Sequence, residues 1–181
     1  MSTNERILSP FTLPNGTELK NRLLMAPMTT CTGYYDGTVT SELVEYYRAR
    51  SGSIGTLIVE CCFVDDLGLA FPGAIGIDND EKIAGLAKIA DAIKSKGSRA
   101  LLQIYHGGRM VDPKLIGGRT PVGPSAVAAP RDGAATPVAL SGEDVCAMVG
   151  KFGEAVRRAI QAGFDGVEIH SANTYLIQQF Y

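Results

Sequence analysis

The chain has 181 residues, 45% of them hydrophobic and 20% charged, a balance that predicts a globular protein with a single domain over residues 1–181. Its formal net charge of −2 at pH 7 gives no electrostatic basis for binding nucleic acid or an anionic membrane surface. No apolar run reaches the roughly 18 residues that a membrane-spanning helix needs, so we expect neither nucleic acid nor a membrane among its partners.

The first 21 residues predict a short hairpin and no targeting signal. The opening segment "MSTNERILSP" lacks a basic stretch followed by hydrophobic residues, so it does not match a secretory signal peptide and we expect a cytoplasmic protein. Farther on, "PFTLPNGTELKN" (10–21) places Asn15–Gly16 between short alternating stretches. Asn-Gly favours tight hairpin turns, so we predict an N-terminal β-hairpin that closes one end of a barrel.

Short apolar runs then predict a series of buried β-strands. They are "NRLLMAPM" (21–28), "GTLIVECC" (55–62), "SRALLQIYH" (98–106) and "DGVEIH" (165–170). Continuous apolar strands of this kind are typical of a parallel sheet that is covered on both faces.

Helical patterns separate these strands. They are residues 41–50, with Ser41 as N-cap; 78–97, ending at Gly97; and 141–163, capped by Ser141 and ending at Gly163. The alternation predicts successive right-handed βα crossover units. The segment 107–140 is rich in Gly, Pro and Ala without periodicity, and we expect a long functional or mobile loop after the third strand.

The cysteines predict no metal site and no disulfide. Cys31, Cys61, Cys62 and Cys146 form no CxxC pair and have no ligand-like spacing to either histidine. The adjacent Cys61 and Cys62 would point to opposite faces of a strand. We therefore expect reduced, mostly buried thiols.

Polar residues gather where each predicted strand ends, which is where parallel α/β folds bind ligands. They are Thr29 and Thr30, then Glu60 and Cys61, then Gln103 and His106, and finally Glu168, His170 and Asn173. Taken singly, each has a structural alternative. Gln103 could cap a buried backbone group, either glutamate could pair with a buried cation, and either histidine could be a satisfied core residue.

Three stretches together resemble the old yellow enzyme family of flavin-dependent oxidoreductases. They are "LKNRLLMAPMTT" (19–30), "LLQIYHGGR" (101–109) and "AGFDGVEIHSANTYLIQQF" (162–180), and the resemblance extends over essentially the whole chain. It implies a (β/α)₈ TIM barrel that binds FMN and is reduced by NAD(P)H. This chain would supply the first four βα units, a half-barrel preceded by the hairpin.

The resemblance also implies roles for individual residues. FMN would be bordered by Ala26, Pro27, Met28, Thr29, Cys61, Gln103 and His170. His170 and Asn173 would grip the carbonyl or nitro oxygen of a small-molecule substrate, and Tyr175 would donate a proton. The implied activity is reduction of an activated alkene by hydride transfer from flavin N5, with the two donors stabilising charge on the substrate oxygen.

Two residues depart from the family pattern, Ser171 with no expected effect and Thr174 with one. Thr174 stands where the family commonly has glycine, between Asn173 and Tyr175. Because a β-branched residue does not readily adopt positive φ, we expect an altered loop and a displaced Tyr175.

A half-barrel would leave two sheet edges and an apolar inner face uncovered, and it would lack the later loops where such barrels bind phosphate. Three explanations stay open: a piece of a longer enzyme, one partner of a split barrel, or a half-barrel that forms a homo-oligomer. Two functions stay open accordingly, namely an FMN-dependent ene-reductase and a catalytically silent half-barrel.

Overall fold

An N-terminal helix and hairpin precede the main sheet in the computed structural model, which describes residues 3–181. The first two residues of the opening segment lie outside the described residues. Helix α1 (Thr3–Leu8) leads into strands β1 (Phe11–Thr12) and β2 (Glu18–Leu19), which pair antiparallel. At the turn, Gly16 has φ +83° and its N–H donates to the Leu13 carbonyl at 2.9 Å. The predicted hairpin is confirmed.

Four parallel strands form the main sheet. In chain order the further strands are β3 (Leu24–Met25), β4 (Thr56–Phe63), β5 (Arg99–Tyr105), β6 (Val122–Gly123), β7 (Val138–Ala139) and β8 (Gly166–Ile169). The main sheet has the order β3-β4-β5-β8, and every neighbouring pair in it is parallel. The predicted parallel α/β architecture is therefore confirmed, with strands that follow one another in the sheet as they do along the chain.

Three helices connect these strands: α2 (Ser41–Arg50), α3 (Ile83–Lys94) and α4 (Gly142–Gln161). The N-cap of α2 is Thr40 rather than the predicted Ser41, because Thr40 has an extended backbone and its Oγ1 accepts from the Leu43 N–H at 3.2 Å. Helix α4 begins as predicted at Ser141, which forms a reciprocal capping box with Asp144.

The main core lies between the sheet and helices α2, α3 and α4. All eight residues of β4 are buried, as predicted for this apolar run. The predicted burial of the first strand is wrong: Leu24 is 56% exposed and Met28 is 64% exposed. The physical reason is position, because β3 is an edge strand with β4 as its one neighbour among the described residues. Ile169, on the opposite edge strand β8, is likewise 54% exposed.

The segment after β5 contains regular structure that its sequence did not predict. It forms two short 3₁₀ turns, Gly108–Met110 and Pro113–Ile116, and the two-residue strands β6 and β7 pair parallel. Within residues 3–181, no helix is both long enough and apolar enough to cross a membrane.

The cysteines are free thiols in two kinds of surroundings. Cys62 belongs to the main core, whereas Cys61 belongs to a smaller apolar cluster, as expected for neighbours on opposite faces of a strand. Cys31 and Cys146 are exposed, which corrects the expectation that the thiols are mostly buried.

Candidate active site

A cavity of about 390 Å³ opens at the carboxyl ends of the parallel strands. It is lined by Pro27, Met28, Thr29, Cys61, Gln103, Glu168, Ile169, His170, Ser171, Ala172, Asn173 and Tyr175. The structure thus brings together every residue predicted for the site except Ala26, which precedes the lining segment. Thr30, Glu60 and His106, also predicted at strand ends, are not part of the lining.

A β-bulge in β4 shapes the wall of this cavity. Val59 pairs with Leu102 and Cys62 pairs with Ile104, so that Glu60 and Cys61 together face the single residue Gln103. A bulge re-aims the side chains of the strand that carries it, and bulges are common beside active sites. No glycine or proline marks this bulge in the sequence, so the apolar pattern predicted a regular strand here.

Thr29 and Cys61 meet in this wall. The Thr29 Oγ1 lies 3.2 Å from the Cys61 Sγ. Burial raises the pKa of the Cys61 thiol to about 11, and the contact with Thr29 offsets only part of that effect. The thiol is therefore protonated at neutral pH and is not poised as a nucleophile.

Gln103 and Glu168 are cross-strand neighbours that bind one another. The Gln103 Nε2 donates to the Glu168 Oε1 at 2.7 Å, and the two residues are paired in the register of β5 and β8. This carboxylate orients the amide toward the cavity. Within the described residues Glu168 forms no ion pair, so the alternative in which it neutralises a buried cation is not supported.

Glu60 supports the site from behind. Its side chain is fully buried, and its Oε2 accepts from the Thr30 N–H at 3.2 Å and from the Tyr47 hydroxyl at 3.4 Å. Burial raises the pKa of this carboxyl. The contact with Thr30 ties the segment that follows β3 to strand β4, which fixes the position of Thr29 at the cavity.

His106 is held elsewhere in the interior. Its ring is fully buried, and its Nδ1 accepts from the Gly108 N–H at 3.0 Å. Burial lowers the pKa of His106 to about 3, so the ring is neutral at physiological pH. Of the two interpretations that the sequence left open for this histidine, the structural one is favoured.

His170 and Asn173 direct two nitrogen atoms at the same part of the cavity. The His170 Nδ1 accepts from the Ala172 N–H at 3.2 Å, so the proton of the neutral ring lies on Nε2. Burial lowers the pKa of His170, which keeps the ring neutral at pH 7. The Asn173 Nδ2 lies 3.4 Å from that Nε2. Because both atoms are donors, the pair is complementary to one acceptor oxygen.

Tyr175 lies beside this pair and packs against two other aromatic rings. Its ring centroid is 4.8 Å from that of His170, 5.4 Å from that of Tyr105 and 6.2 Å from that of Phe71, the last contact being edge-to-face. Burial raises the pKa of the Tyr175 hydroxyl to about 12, so it remains protonated. Phe71, from the loop after β4, was not anticipated from the sequence.

The expectation that Thr174 would avoid positive φ is wrong. Thr174 has φ +60° and Asn173 has φ +55°, two consecutive left-handed residues without glycine. Conformations of this kind cost on the order of 1–3 kcal/mol each and persist where neighbouring groups fix them. The Tyr175 side chain lines the cavity.

Another cavity of similar size differs in chemistry. It measures about 410 Å³ and lies between α4 and the chain after β8, with Met148, Phe152, Leu176 and Phe180 among its lining. All of its lining residues are hydrophobic, with the Tyr181 hydroxyl as their one polar side-chain group, so it offers no convergent hydrogen-bonding set. The strand-end cavity is the better candidate for catalysis.

Comparison with known proteins shows the family to which the chain belongs. Residues 6–181 match the sequence model of the NADH:flavin oxidoreductase / NADH oxidase family. The chain is 84% identical over 181 residues to "NADH:fumarate oxidoreductase" of Klebsiella pneumoniae (strain 342), covering 100% of this chain and 20% of that protein. It is 56% identical over 176 residues to "NADH:acrylate oxidoreductase" of Vibrio harveyi, covering 97% of this chain and 18% of that protein.

Solved structures of old yellow enzymes share the fold. The homologue from Zymomonas mobilis superposes with a TM-score of 0.88 at 34% identity, covering 96% of this chain and 50% of that one. Morphinone reductase in complex with tetrahydroNAD gives a TM-score of 0.89 at 32% identity, covering 96% and 51%. These neighbours are TIM barrels, and the chain spans about half of their length and about a fifth of the two curated relatives named above.

Proposed function

Because the chain belongs to the NADH:flavin oxidoreductase / NADH oxidase family, we propose that its strand-end cavity is the flavin and substrate site of an NAD(P)H-dependent ene-reductase. The substrates would be activated alkenes, in which a carbonyl, carboxyl or nitro group is conjugated to the double bond. The observation that carries this proposal is the convergence of the His170 Nε2 and the Asn173 Nδ2, 3.4 Å apart, beside the Tyr175 ring.

The cavity residues suit FMN. Pro27, Met28 and Ile169 offer apolar surface for the faces of an aromatic ring system. The Thr29 hydroxyl and the Gln103 amide offer hydrogen-bonding groups for a polar edge, and Gln103 is already oriented by Glu168. When bound, the flavin supplies hydride-transfer chemistry, and the protein supplies position and electrostatics.

His170 and Asn173 would stabilise the substrate as charge develops on its oxygen. Hydride addition to the β-carbon of an activated alkene moves an electron pair onto the oxygen of the activating group. Two donors that are already aimed at that oxygen stabilise this charge without reorganising. The neutral state of His170 suits the role, because its Nε2 carries a proton that can be shared with the oxygen.

Tyr175 would complete the reduction by protonating the α-carbon. Its hydroxyl proton goes to the carbon, and a proton from water restores the phenol. The sum of the reaction is alkene plus NAD(P)H plus H⁺ giving the saturated compound plus NAD(P)⁺. The high pKa of Tyr175 keeps the acid in its protonated form, and its contacts with Tyr105 and Phe71 fix its direction.

The names of the relatives favour unsaturated carboxylates among the possible substrates. The two curated relatives described above are named for fumarate and acrylate, each an alkene conjugated to a carboxyl group. A carboxylate oxygen is an acceptor of the kind that His170 and Asn173 would bind. We propose acrylate-like acids and their esters as the first substrates to assay.

A second function is favoured by the lengths of those relatives. The chain covers only 20% and 18% of them, so the reduction of fumarate or acrylate need not take place in the part that matches this chain. In this second proposal the chain takes electrons from NADH and passes them to another part of a longer protein. The catalytically silent half-barrel is the outcome if neither reaction occurs.

Anaerobic stopped-flow measurements of the two half-reactions separate these proposals. Protein loaded with FMN is first mixed with NADH or NADPH, and the reduced protein is then mixed with acrylate, methyl acrylate or fumarate. Reoxidation of the flavin with formation of the saturated product supports the ene-reductase. Rapid reduction by NADH without reoxidation by any of the alkenes supports the electron-input function instead. Failure of both steps in protein that retains FMN contradicts both proposals.

A further inference from the structure

Two consecutive glutamines hold both backbone polar groups of Thr174. The Thr174 N–H donates to the Gln178 Oε1, and the Thr174 carbonyl accepts from the Gln179 Nε2 at 2.6 Å. The Thr174 hydroxyl makes a further local bond to the Asn173 carbonyl at 2.6 Å. Thr174, whose backbone is strained, therefore has its N–H, its carbonyl and its hydroxyl all in hydrogen bonds.

Gln179 extends this hold to the loop after β5. Its Nε2 also donates to the Gly107 carbonyl at 3.2 Å, and its Oε1 accepts from the Arg109 N–H at 3.1 Å. Both N–H groups of the amide and its oxygen are thus engaged, each with backbone. A single side chain thereby links the turn that carries Asn173 and Tyr175 to the loop that follows β5.

Close packing shows that the place of the Gln179 amide is built into the fold. A Cβ added to Gly108 would lie 2.4 Å from the Gln179 Oε1 and 2.6 Å from its Nε2. Gly108 also has φ +58°, a conformation that favours glycine. The loop after β5 is thus shaped to accept this amide.

Thr174 needs such support because its side chain is β-branched. A threonine prefers negative φ, and rotation of the backbone to that region would turn its N–H and carbonyl away from their present partners. The same rotation would redirect the residues on either side, which are Asn173 and Tyr175. Two side-chain amides that hold the N–H and the carbonyl together oppose this rotation.

We propose that Gln178 and Gln179 are positioning residues that keep Thr174 left-handed and so aim Asn173 and Tyr175 into the cavity. The inference deepens the proposed function and rests on it for the roles of Asn173 and Tyr175. The hold on Thr174 itself can be measured without any substrate.

The first test uses the different chemistry of the two amides. Gln178 contributes an acceptor, so Gln178→Glu retains the bond to Thr174, whereas Gln178→Leu removes it. Gln179 contributes two donors, so Gln179→Glu sets an acceptor against the carbonyls of Gly107 and Thr174. Gln161→Leu, at the exposed end of α4, is the matched control.

Two properties are measured in FMN-loaded protein. The first is the dissociation constant of 4-hydroxybenzaldehyde, a probe ligand with an acceptor oxygen, whose binding is followed by flavin absorbance. The second is the rate of each half-reaction. We expect Gln178→Leu and Gln179→Glu each to raise this constant about tenfold, as for one lost hydrogen bond. Both should slow the alkene half-reaction while NADH oxidation changes less. Gln178→Glu and the control should stay within about twofold of the unsubstituted protein. Equal effects of Leu and Glu at position 178 would overturn the inference.

The second test asks whether Gln178 acts through the strained residue. In a double-mutant cycle, the loss of urea-unfolding midpoint caused by Gln178→Leu should be smaller when Thr174→Gly is also present, because glycine adopts positive φ without strain. If Gln178→Leu lowers the urea midpoint equally with Thr174 and with Gly at position 174, the inference is contradicted. It is also contradicted if the two substitutions are coupled in stability but Gln178→Leu leaves the dissociation constant of the aldehyde unchanged. If the unsubstituted protein binds the aldehyde but reduces no alkene, the proposed function is wrong, and the binding constants still decide the positioning role.

Discussion

The His170 Nε2 and the Asn173 Nδ2 lie 3.4 Å apart, and both are hydrogen-bond donors. Two donors cannot satisfy one another, so the pair is completed by an acceptor that lies in the cavity within hydrogen-bond distance of both nitrogen atoms. This relationship distinguishes the strand-end cavity from the apolar cavity beside α4, and it makes each donor separately testable.

Replacing Asn173 by Leu should remove one of the two donors. We expect the alkene half-reaction to slow about 10²-fold, the typical effect of a lost oxyanion donor, while FMN content stays unchanged. The measurement is stopped-flow reoxidation of reduced protein by methyl acrylate. A rate within about twofold of the unsubstituted protein, as for a neutral surface change, would show that Asn173 does not contact the substrate oxygen.

Tyr175→Phe should separate the two half-reactions. The variant keeps the ring contacts with His170 and Tyr105 but loses the proton, so alkene reduction should slow about 10²-fold or more while flavin reduction by NADH is spared. Equal slowing of both half-reactions would contradict the assignment of Tyr175 as proton donor.

The pH dependence of alkene reduction follows from the same tyrosine. In the proposed mechanism the acid is the protonated phenol. Burial raises its pKa to about 12, so its ionisation should cause no loss of rate as pH rises from about 6 to about 9. Any decline should begin only as the pH approaches the raised pKa. A decline centred near pH 8 would assign the proton to a different group.

Replacing Phe71 by Ala should loosen Tyr175. The edge-to-face contact at 6.2 Å is one of three ring contacts that fix this tyrosine, and such pairs contribute about 0.5–1.5 kcal/mol each. We expect alkene reduction to slow about tenfold, which corresponds to about 1.4 kcal/mol. Phe11→Ala in the N-terminal hairpin is the matched control. Equal rates for both variants would show that Phe71 does not position Tyr175.

The free energy of unfolding should decrease as the pH is lowered, because His106 is buried in its neutral form. Burial lowers the pKa of this group from 6.5 to about 3, helped by Lys151 and opposed by Asp66. A histidine whose pKa is lower in the folded than in the unfolded state does not reduce the free energy of unfolding while the pH is above its unfolded-state pKa. As the pH falls from that pKa toward the folded-state pKa, the unfolded chain binds the proton first, and the free energy of unfolding decreases. At about 1.4 kcal/mol per pH unit, the loss between pH 7.5 and 5 is about 2 kcal/mol.

Urea unfolding at the two pH values measures this loss, and His106→Asn should flatten the slope. His170 contributes in the same direction because its pKa is also lowered, so a smaller slope should persist in the variant. Glu60 acts in the opposite direction, since burial raises its pKa and protonation then favours the folded state. An unchanged slope in His106→Asn would contradict the assignment.

The order of strands and helices could be predicted because apolar runs and caps are local signals. The exposure of Leu24 could not, since it depends on which strands lie beside β3 in space. The bulge at Glu60 and Cys61 has no local signal either, because it is defined by the partner strand. For the site, the resemblance to a known family correctly pointed to His170, Asn173 and Tyr175 as residues that lie together at one cavity.

Two features of the site could not be predicted, because each depends on contacts between residues that the sequence does not connect. An altered loop was expected at Thr174 because backbone preference is a local property. The left-handed Thr174 depends instead on side chains four and five residues later, which return to it only through the 3₁₀ turn of Gln178–Phe180. Phe71 was missed for a similar reason, since its contact with Tyr175 joins a loop to a residue far along the chain.

The protonated, buried state of the Cys61 thiol has a consequence for durability. Reduced flavins react with oxygen to give peroxide, and peroxide oxidises thiolates far faster than thiols. With its pKa raised to about 11, Cys61 presents almost no thiolate beside the cavity at neutral pH. Cys146, on α4, is exposed and lies outside the cavity lining. The thiol in the wall of the cavity is therefore a poor target for peroxide at neutral pH.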